Sequence, residues 1–293
     1  MNWIVRIVRL IRLVRVVRFV QSFGSSKRAW GPASAGPLII AVALGGVVLA
    51  QGRGGGGQTP QQNGRAGAIK DLTGYWVSVV AEHWHLRMMV PPKGDVTMLP
   101  VNAEGRRITN MWDPAKDDAA GEACRSYGAP TIMRVPGRLH ITWQDDNTLK
   151  IDTDAGTQTR LLHFGAGRAG EAGTVGGPAG QAPSWQGYSV ANWRRPVRMD
   201  QQSNKNAGDL RVVTTRLRSG YLRKNGVPYS ENATVEEFFD AFTEPNGDSW
   251  LVIDTIVTDP TYLTQPYVNS VAFKKQRDAS GWDPTPCRTD QPR

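Results

Sequence analysis

The sequence predicts an all-β, mainly antiparallel fold: a barrel, or alternatively a β-sandwich, with one short helix around residues 104–123. Three observations carry this. Short runs rich in Val, Ile, Thr and aromatic residues recur along the chain. Turn-forming Asp, Asn, Gly and Pro clusters separate many of them at intervals of about eight to twelve residues. Within several runs apolar and polar residues alternate, the period of a strand with one buried face.

The elements follow in order. Residues 72–80 (LTGYWVSVV) open the series. Residues 104–123 form the best helix candidate, interrupted at Pro114, whose ring removes a donor and clashes with the preceding turn. Residues 139–143 (LHITW) alternate, Asp145-Asp146-Asn147 offers a turn, and residues 148–153 (TLKIDT) alternate again. Asp154-Ala155-Gly156 supplies the next turn before residues 157–164 (TQTRLLHF), completing a three-stranded meander. Residues 210–217 (LRVVTTRL) read as a strand. Residues 234–242 (TVEEFFDAF) carry helix-forming residues, but their neighbours assign them to a strand. Pro245-Asn246-Gly247-Asp248 then makes a hairpin turn into residues 250–257 (WLVIDTIV), and residues 267–274 (YVNSVAFK) close the series.

The first fifty residues stand apart. They hold seven of the 35 basic residues and no acid; the other 28 basic residues face 26 acidic ones, a balance of +2. The whole-chain charge of +9 therefore gives no argument for nucleic acid as a partner. Residues 37–50 (PLIIAVALGGVVLA) form an apolar run of 14, short of the roughly 20 residues a membrane-spanning helix needs. Val48 and Ala50 place small residues ahead of Gln51, as at a signal cleavage site. Residues 1–50 are thus predicted to be a basic leader plus export signal, cleaved near Ala50, with an uncleaved membrane anchor as the alternative. The protein is expected to be periplasmic or extracellular, touching membrane only through that leader. Arginine at every third position from Arg6 to Arg18 winds around a helix, which argues against a single amphipathic face.

Residues 51–67 are Gly, Gln and Arg with almost no apolar content, the composition of a flexible linker. Residues 68–293 are assigned to a single β domain carrying a Gly-rich disordered loop at 165–183. Cys124 and Cys287 are the only cysteines. In an oxidising compartment they predict one disulfide, the alternative being two free buried thiols.

Gly74-Tyr75-Trp76 resembles the Gly-X-Trp signature of lipocalin-like barrels, in which the Trp plugs the closed end and the Gly lets the chain bend. Residues 124–133 (CRSYGAPTIM), 183–193 (PSWQGYSVANW), 210–215 (LRVVTT), 226–231 (GVPYSE) and 258–267 (TDPTYLTQPY) together resemble an uncharacterised group of exported β-rich proteins of soil bacteria. The resemblance implies an exported, barrel-like domain and no reaction. It also implies His at the elements matched here by Tyr188 and Tyr229, so any role those histidines have in relatives is altered or lost in this chain.

His83 and His85 are two apart, and on a strand they share a face, the beginning of a zinc or copper site. Met88 and Met89 are read as core fillers. His140 or His163 with Asp152 forms the minimal acid–base pair the meander offers, and Arg160 a contact for an anion. Trp76, Trp84, Trp143 and Trp193, with Tyr188 and Tyr229, are candidates to line a ligand cup. There is no nucleophile elbow, phosphate loop or dinucleotide fingerprint. The first expectation is an exported barrel that binds a small apolar or amphipathic molecule, with no cofactor. A barrel enzyme using His and Asp or a His-bound metal is the second, and an extracellular assembly subunit the third. The sequence names no oligomeric state.

Overall fold

The structure is a computed structural model that describes residues 64–165, 180–195 and 207–293. The segments predicted to be leader and export signal, most of the predicted linker and most of the Gly-rich stretch lie outside the described residues. All described residues belong to one compact unit, Gly57–Arg293.

Nine strands close a barrel. In order around it they are β1 (Gly74–Val79), β2 (Arg138–Asp145), β3 (Thr148–Thr153), β4 (Gln158–Phe164), β5 (Tyr188–Arg194), β6 (Asp209–Thr215), β9 (Thr234–Thr243), β10 (Ser249–Thr258) and β11 (Tyr267–Lys275). Strands β7 (Gly220–Arg223) and β8 (Val227–Tyr229) form a separate hairpin between β6 and β9. Closure, with β1 paired to β11, makes this a barrel and not a sandwich. Every barrel pairing is antiparallel except β4 with β5.

Alternation decides the faces. On β9, Val235, Glu237 and Phe239 are buried while Glu236 and Phe238 are only half-buried and Asp240 is exposed. That period of two overrides the helix propensity of Glu and Ala. The expected turns form as well. Asn147 donates its backbone N–H to the Asp145 carboxylate at 2.8 Å, and Gly247, at φ +89°, turns the β9–β10 hairpin. A non-glycine residue adopts that left-handed conformation only at a cost.

Among the described residues three short helices lie outside the barrel: α1 (Trp84–Arg87), α2 (Ala103–Met111) and α3 (Pro114–Ala119). The single helix expected at 104–123 is therefore two. Pro114 occupies the first turn of α3, where its missing N–H costs nothing, and Asp113 caps it. Two 3-10 turns follow, Ala123–Tyr127 and Ile132–Arg134. No described helix is long and apolar enough to cross a membrane.

The barrel interior is filled. Ile141, Ile151, Leu162, Val212, Phe239 and Ile253 are wholly buried in one cluster, as small barrels require. Tyr127, Ile132 and Met133 extend that cluster from the 3-10 turns. A second cluster gathers Leu217, Leu222, Val227, Tyr229 and Tyr267 around the β7–β8 hairpin. Cys124 and Cys287 are joined in a disulfide with Cα atoms 5.1 Å apart, tying the C-terminal tail to the first 3-10 turn.

Candidate functional site

At the barrel end where β1, β10 and the Gly64 segment begin, the chain leaves a cavity of about 730 Å³. Its position follows from strand direction. β1 enters there with Trp76, β2 leaves with Trp143, β9 leaves through Ala241, Phe242 and Thr243, β10 enters at Ser249, and β11 leaves at Lys275. Ala68–Asp71 form the remaining wall. These wall residues are held down by local bonds. Trp76 Nε1 donates to the Leu72 carbonyl at 2.9 Å, and Ile69 and Leu72 join the core. Gly64, assigned by composition to the flexible linker, accepts from Trp193 Nε1 at 2.9 Å, and Arg65 donates to the Asp146 carbonyl. Residues 64–67 are a bonded turn because Trp193 and the turn between β2 and β3 offer them partners.

The cavity floor is aromatic. Trp76 is 1% exposed, and Trp143 packs against the core with its ring 5.4 Å from Phe164. Phe164 in turn stacks on Trp193, centroids 6.1 Å apart. Phe242 stands at the rim, 46% exposed. Two cations face this surface. Lys70 is ion-paired with Asp240, and burial lowers its pKa. Lys275 lies over the Trp76 ring, its ammonium 5.2 Å from the centroid; that ammonium has no hydrogen bond or ion pair within bonding distance among the described residues, though its charge helps to hold Asp71 ionised. Asp71, on the same wall, is occupied by the Thr73 N–H and hydroxyl at 2.9 and 2.7 Å, bonds that hold its carboxyl below its ordinary pKa despite burial.

Of the residues the sequence singled out for ligand contact, Trp76 and Trp143 line this cavity. The others do not. Trp193 is buried beneath it at 5% exposure. Trp84 is 61% exposed on α1, away from any strand. Tyr188 stacks against His163, centroids 4.7 Å apart. Tyr229 is wholly buried in the second cluster, its hydroxyl wedged against Gly128 and Gly220 with no hydrogen-bond partner, and burial raises its pKa. Arg160 is fully buried inside the barrel and already neutralised. Its Nη1 and Nη2 meet the two Glu237 oxygens at 3.0 and 2.6 Å, and Nη2 also reaches Thr214 Oγ1 at 3.3 Å. An anion contact was expected of it; instead its charge is spent on Glu237.

The acid–base constellation does not assemble. Leu139, Ile141, Leu162 and Phe164 are buried in the core, so His140 and His163 between them face outward. His140 stacks flat on Tyr75 with centroids 4.0 Å apart, and the Trp282 ring meets both edge-on. Asp152 pairs with His140 in backbone register, but its oxygens are taken by Lys150 at 2.8 Å and Thr159 at 2.7 Å. Burial lowers the pKa of His163. His83 and His85 lie on no strand. His83 caps α1 at φ 47°, and His85 is exposed one residue into the helix. Among the described residues no group of three or more His, Cys, Asp or Glu is arranged to hold a metal ion.

Lys275, Lys70 and Phe242 were not singled out from the sequence. Lys275 faces Trp76 because the last strand pairs with the first, Trp76 opposite Lys275 in register. No local pattern encodes that pairing. No protein-family model, curated protein or solved structure matches this chain, so the geometry alone carries the functional reading.

Proposed function

We propose that the protein binds a small amphipathic molecule carrying an anionic group, at the barrel mouth. The apolar part rests on Trp76, Trp143 and Phe242, and the head group meets Lys275. The observation that carries this is Lys275 itself: an ammonium set over an indole face, in a cavity, with no carboxylate bonded to it. A cavity of about 730 Å³ is the size of ordinary small-molecule sites. Each methylene buried there contributes about 0.8 kcal/mol, so an aliphatic tail supplies affinity and Lys275 supplies selectivity.

The disulfide suits an oxidising compartment, which supports placing this activity outside the cytoplasm, in keeping with the leader. The buried Trp76 two residues after Gly74 supports a lipocalin-like reading of the barrel, although the parallel β4–β5 junction interrupts the antiparallel series.

Titration of the intrinsic Trp fluorescence with decanoate and with decanol tests the reading. Decanoate is expected to bind about tenfold more tightly than decanol, a difference of about 1.4 kcal/mol. Lys275→Gln removes that preference, and Trp143→Ala weakens both ligands. Equal affinities in the wild type, or no saturation by either, overturn it.

A further inference from the structure

A second cleft, of about 340 Å³, opens at the opposite end of the barrel, among α1, the 3-10 turn Ile132–Arg134, β7 and the start of β11. Two arginines, Arg134 and Arg223, line it, and Arg87 lies behind them, bonded to the Arg134 carbonyl. Arg87 is paired with Glu82 and donates to the Arg134 carbonyl at 3.0 Å and to Ser78 Oγ at 3.2 Å. Arg223 spends its donors on two backbone carbonyls, Thr97 at 2.7 Å and Asp95 at 3.5 Å, and makes no ion pair among the described residues. The Arg134 guanidinium lines the cleft with no hydrogen bond or ion pair among the described residues. Two carboxylates are near: Glu82, committed to Arg87, and Asp95, whose side chain caps the Thr97 N–H at 2.8 Å. Burial disfavours the charge on Arg87 and Arg223, and Arg134 adds to this, against the opposing pull of Glu82 on Arg87 and of Asp95 on Arg223. The cleft is therefore short of negative charge.

The second observation is independent. Asn269, on β11, lines the same cleft and is 9% exposed. Both its amide oxygen and its amide nitrogen are buried with no hydrogen-bond partner among the described residues. Its neighbour across the β10–β11 register, Thr255, has a buried hydroxyl in the same condition. Buried polar groups almost always find partners. Asn269 is thus a cleft-lining residue whose amide is shielded and unpartnered, beside surplus guanidinium charge.

We propose that this cleft is a second binding site, taking a small organic molecule that bears an oxyanion. Arg134 meets the oxyanion, the Asn269 amide fixes an adjacent polar atom, and Leu86, Met98 and Tyr267 cover a short apolar part. The site is separate from the barrel mouth, which lies at the other end of β11.

The test is isothermal titration of the full chain, carrying Lys275→Gln and Trp143→Ala so that the mouth loses both its anion contact and part of its apolar floor, with hexanoate and separately with inorganic phosphate at low salt. Saturable binding of at least one probe is expected, and which one binds identifies the oxyanion as carboxylate or phosphate. Adding Arg134→Gln weakens binding about tenfold or more. Asn269→Leu, nearly isosteric and free of the unpaired amide, weakens binding while leaving Tm unchanged or raised, so its loss is not one of folding. The proposal is overturned when neither probe binds saturably, or when both variants bind as tightly as their parent.

Discussion

Glu237→Gln removes one charge from the interior and turns one of the two acceptors facing Arg160 into a donor. The side chain keeps its shape and one acceptor oxygen. Arg160 and Glu237 are both wholly shielded from solvent, so the guanidinium is left with no counter-charge and no water. It retains the 3.3 Å bond to Thr214, which is itself bonded to Ser189 at 2.7 Å. Arg160 Nε has no partner even in the wild type. Breaking a buried pair on one side costs about 3–5 kcal/mol, a large part of the roughly 5–15 kcal/mol that holds a domain folded. At a urea dependence of about 2 kcal/mol per molar, the unfolding midpoint drops by about 1.5–2.5 M. The double variant Arg160→Met, Glu237→Leu removes both charges and leaves the Ser189–Thr214 bond intact. It is expected to unfold within about 1 kcal/mol of the wild type, or later. Urea titration followed by Trp fluorescence and far-ultraviolet circular dichroism measures all three proteins. A single-variant shift below about 0.5 M, or a double variant as weak as the single one, refutes the reasoning.

Two further outcomes follow from the tail and its anchors. The disulfide spans 163 residues, for which the chain-entropy relation gives about 5 kcal/mol; Cys124→Ser with Cys287→Ser is expected to lose up to that amount, and an unchanged Tm refutes it. The tail stays tethered in that variant through Arg293–Asp154 at 2.9 Å and Thr289–Asp118 at 2.8 Å, which makes 5 kcal/mol an upper value. Burial pushes the Lys224 ammonium down to about 7, although it sits 3.9 Å over the Tyr127 ring and donates to the Gln291 carbonyl at 2.9 Å. The unfolded chain holds this proton up to about pH 10.4 and the folded one releases it earlier, so stability rises between about pH 7 and 9, by at most about 1.4 kcal/mol per pH unit. Lys224→Met is expected to flatten that slope in urea unfolding at the two pH values, and an equal slope in both proteins refutes the assignment.

Strands flanked by turn chemistry or rich in β-branched residues, such as β3 and β6, are legible, and those with neither signal are not. Thr148–Thr153 is bounded by two tight turns and forms where the pattern places it. Residues 188–194 (YSVANWR) lack a clean alternation of chemistry, and no strand was assigned there; β5 nonetheless forms, held between β4 and β6. The β7–β8 hairpin is short and carries Pro228, which no pattern of alternating residues supports. The His83–His85 segment looked extended, yet it starts a single helical turn. For the site, the indoles were readable as candidates because large aromatics are few. Lys275 was not, since its place depends on closure between the first and last strands. The outward faces of His140, Asp152 and His163 are legible in principle: apolar neighbours (Leu139 and Ile141, Ile151, Leu162 and Phe164) already claim the interior, whatever the hairpin register.

The parallel junction explains why a charged pair lies where a ligand contact was expected. Strands β4 and β5 pair only through Leu162–Ser189, His163–Val190 and Phe164–Ala191, whereas β9 and β10 pair along their whole length. Arg160 lies two residues before that short seam begins, on the same face as Leu162, where β4 no longer has β5 beside it. From there its side chain crosses to Thr214 on β6 and Glu237 on β9, while Ser189 on β5 bonds Thr214. One residue from each of four successive strands thus forms a polar layer across the weakest join of the barrel. A slip of one residue in β5 would turn Ser189 outward and bring Val190 in, leaving Thr214 without its hydroxyl partner. The layer penalises that slip more than an apolar layer would, because each unmet polar group costs its full desolvation. Arg160 therefore serves closure. A barrel whose middle is packed with aliphatic side chains and pinned by this layer has room for ligands only at its ends, and it is there that Lys275 and Arg134 stand without a bonded carboxylate.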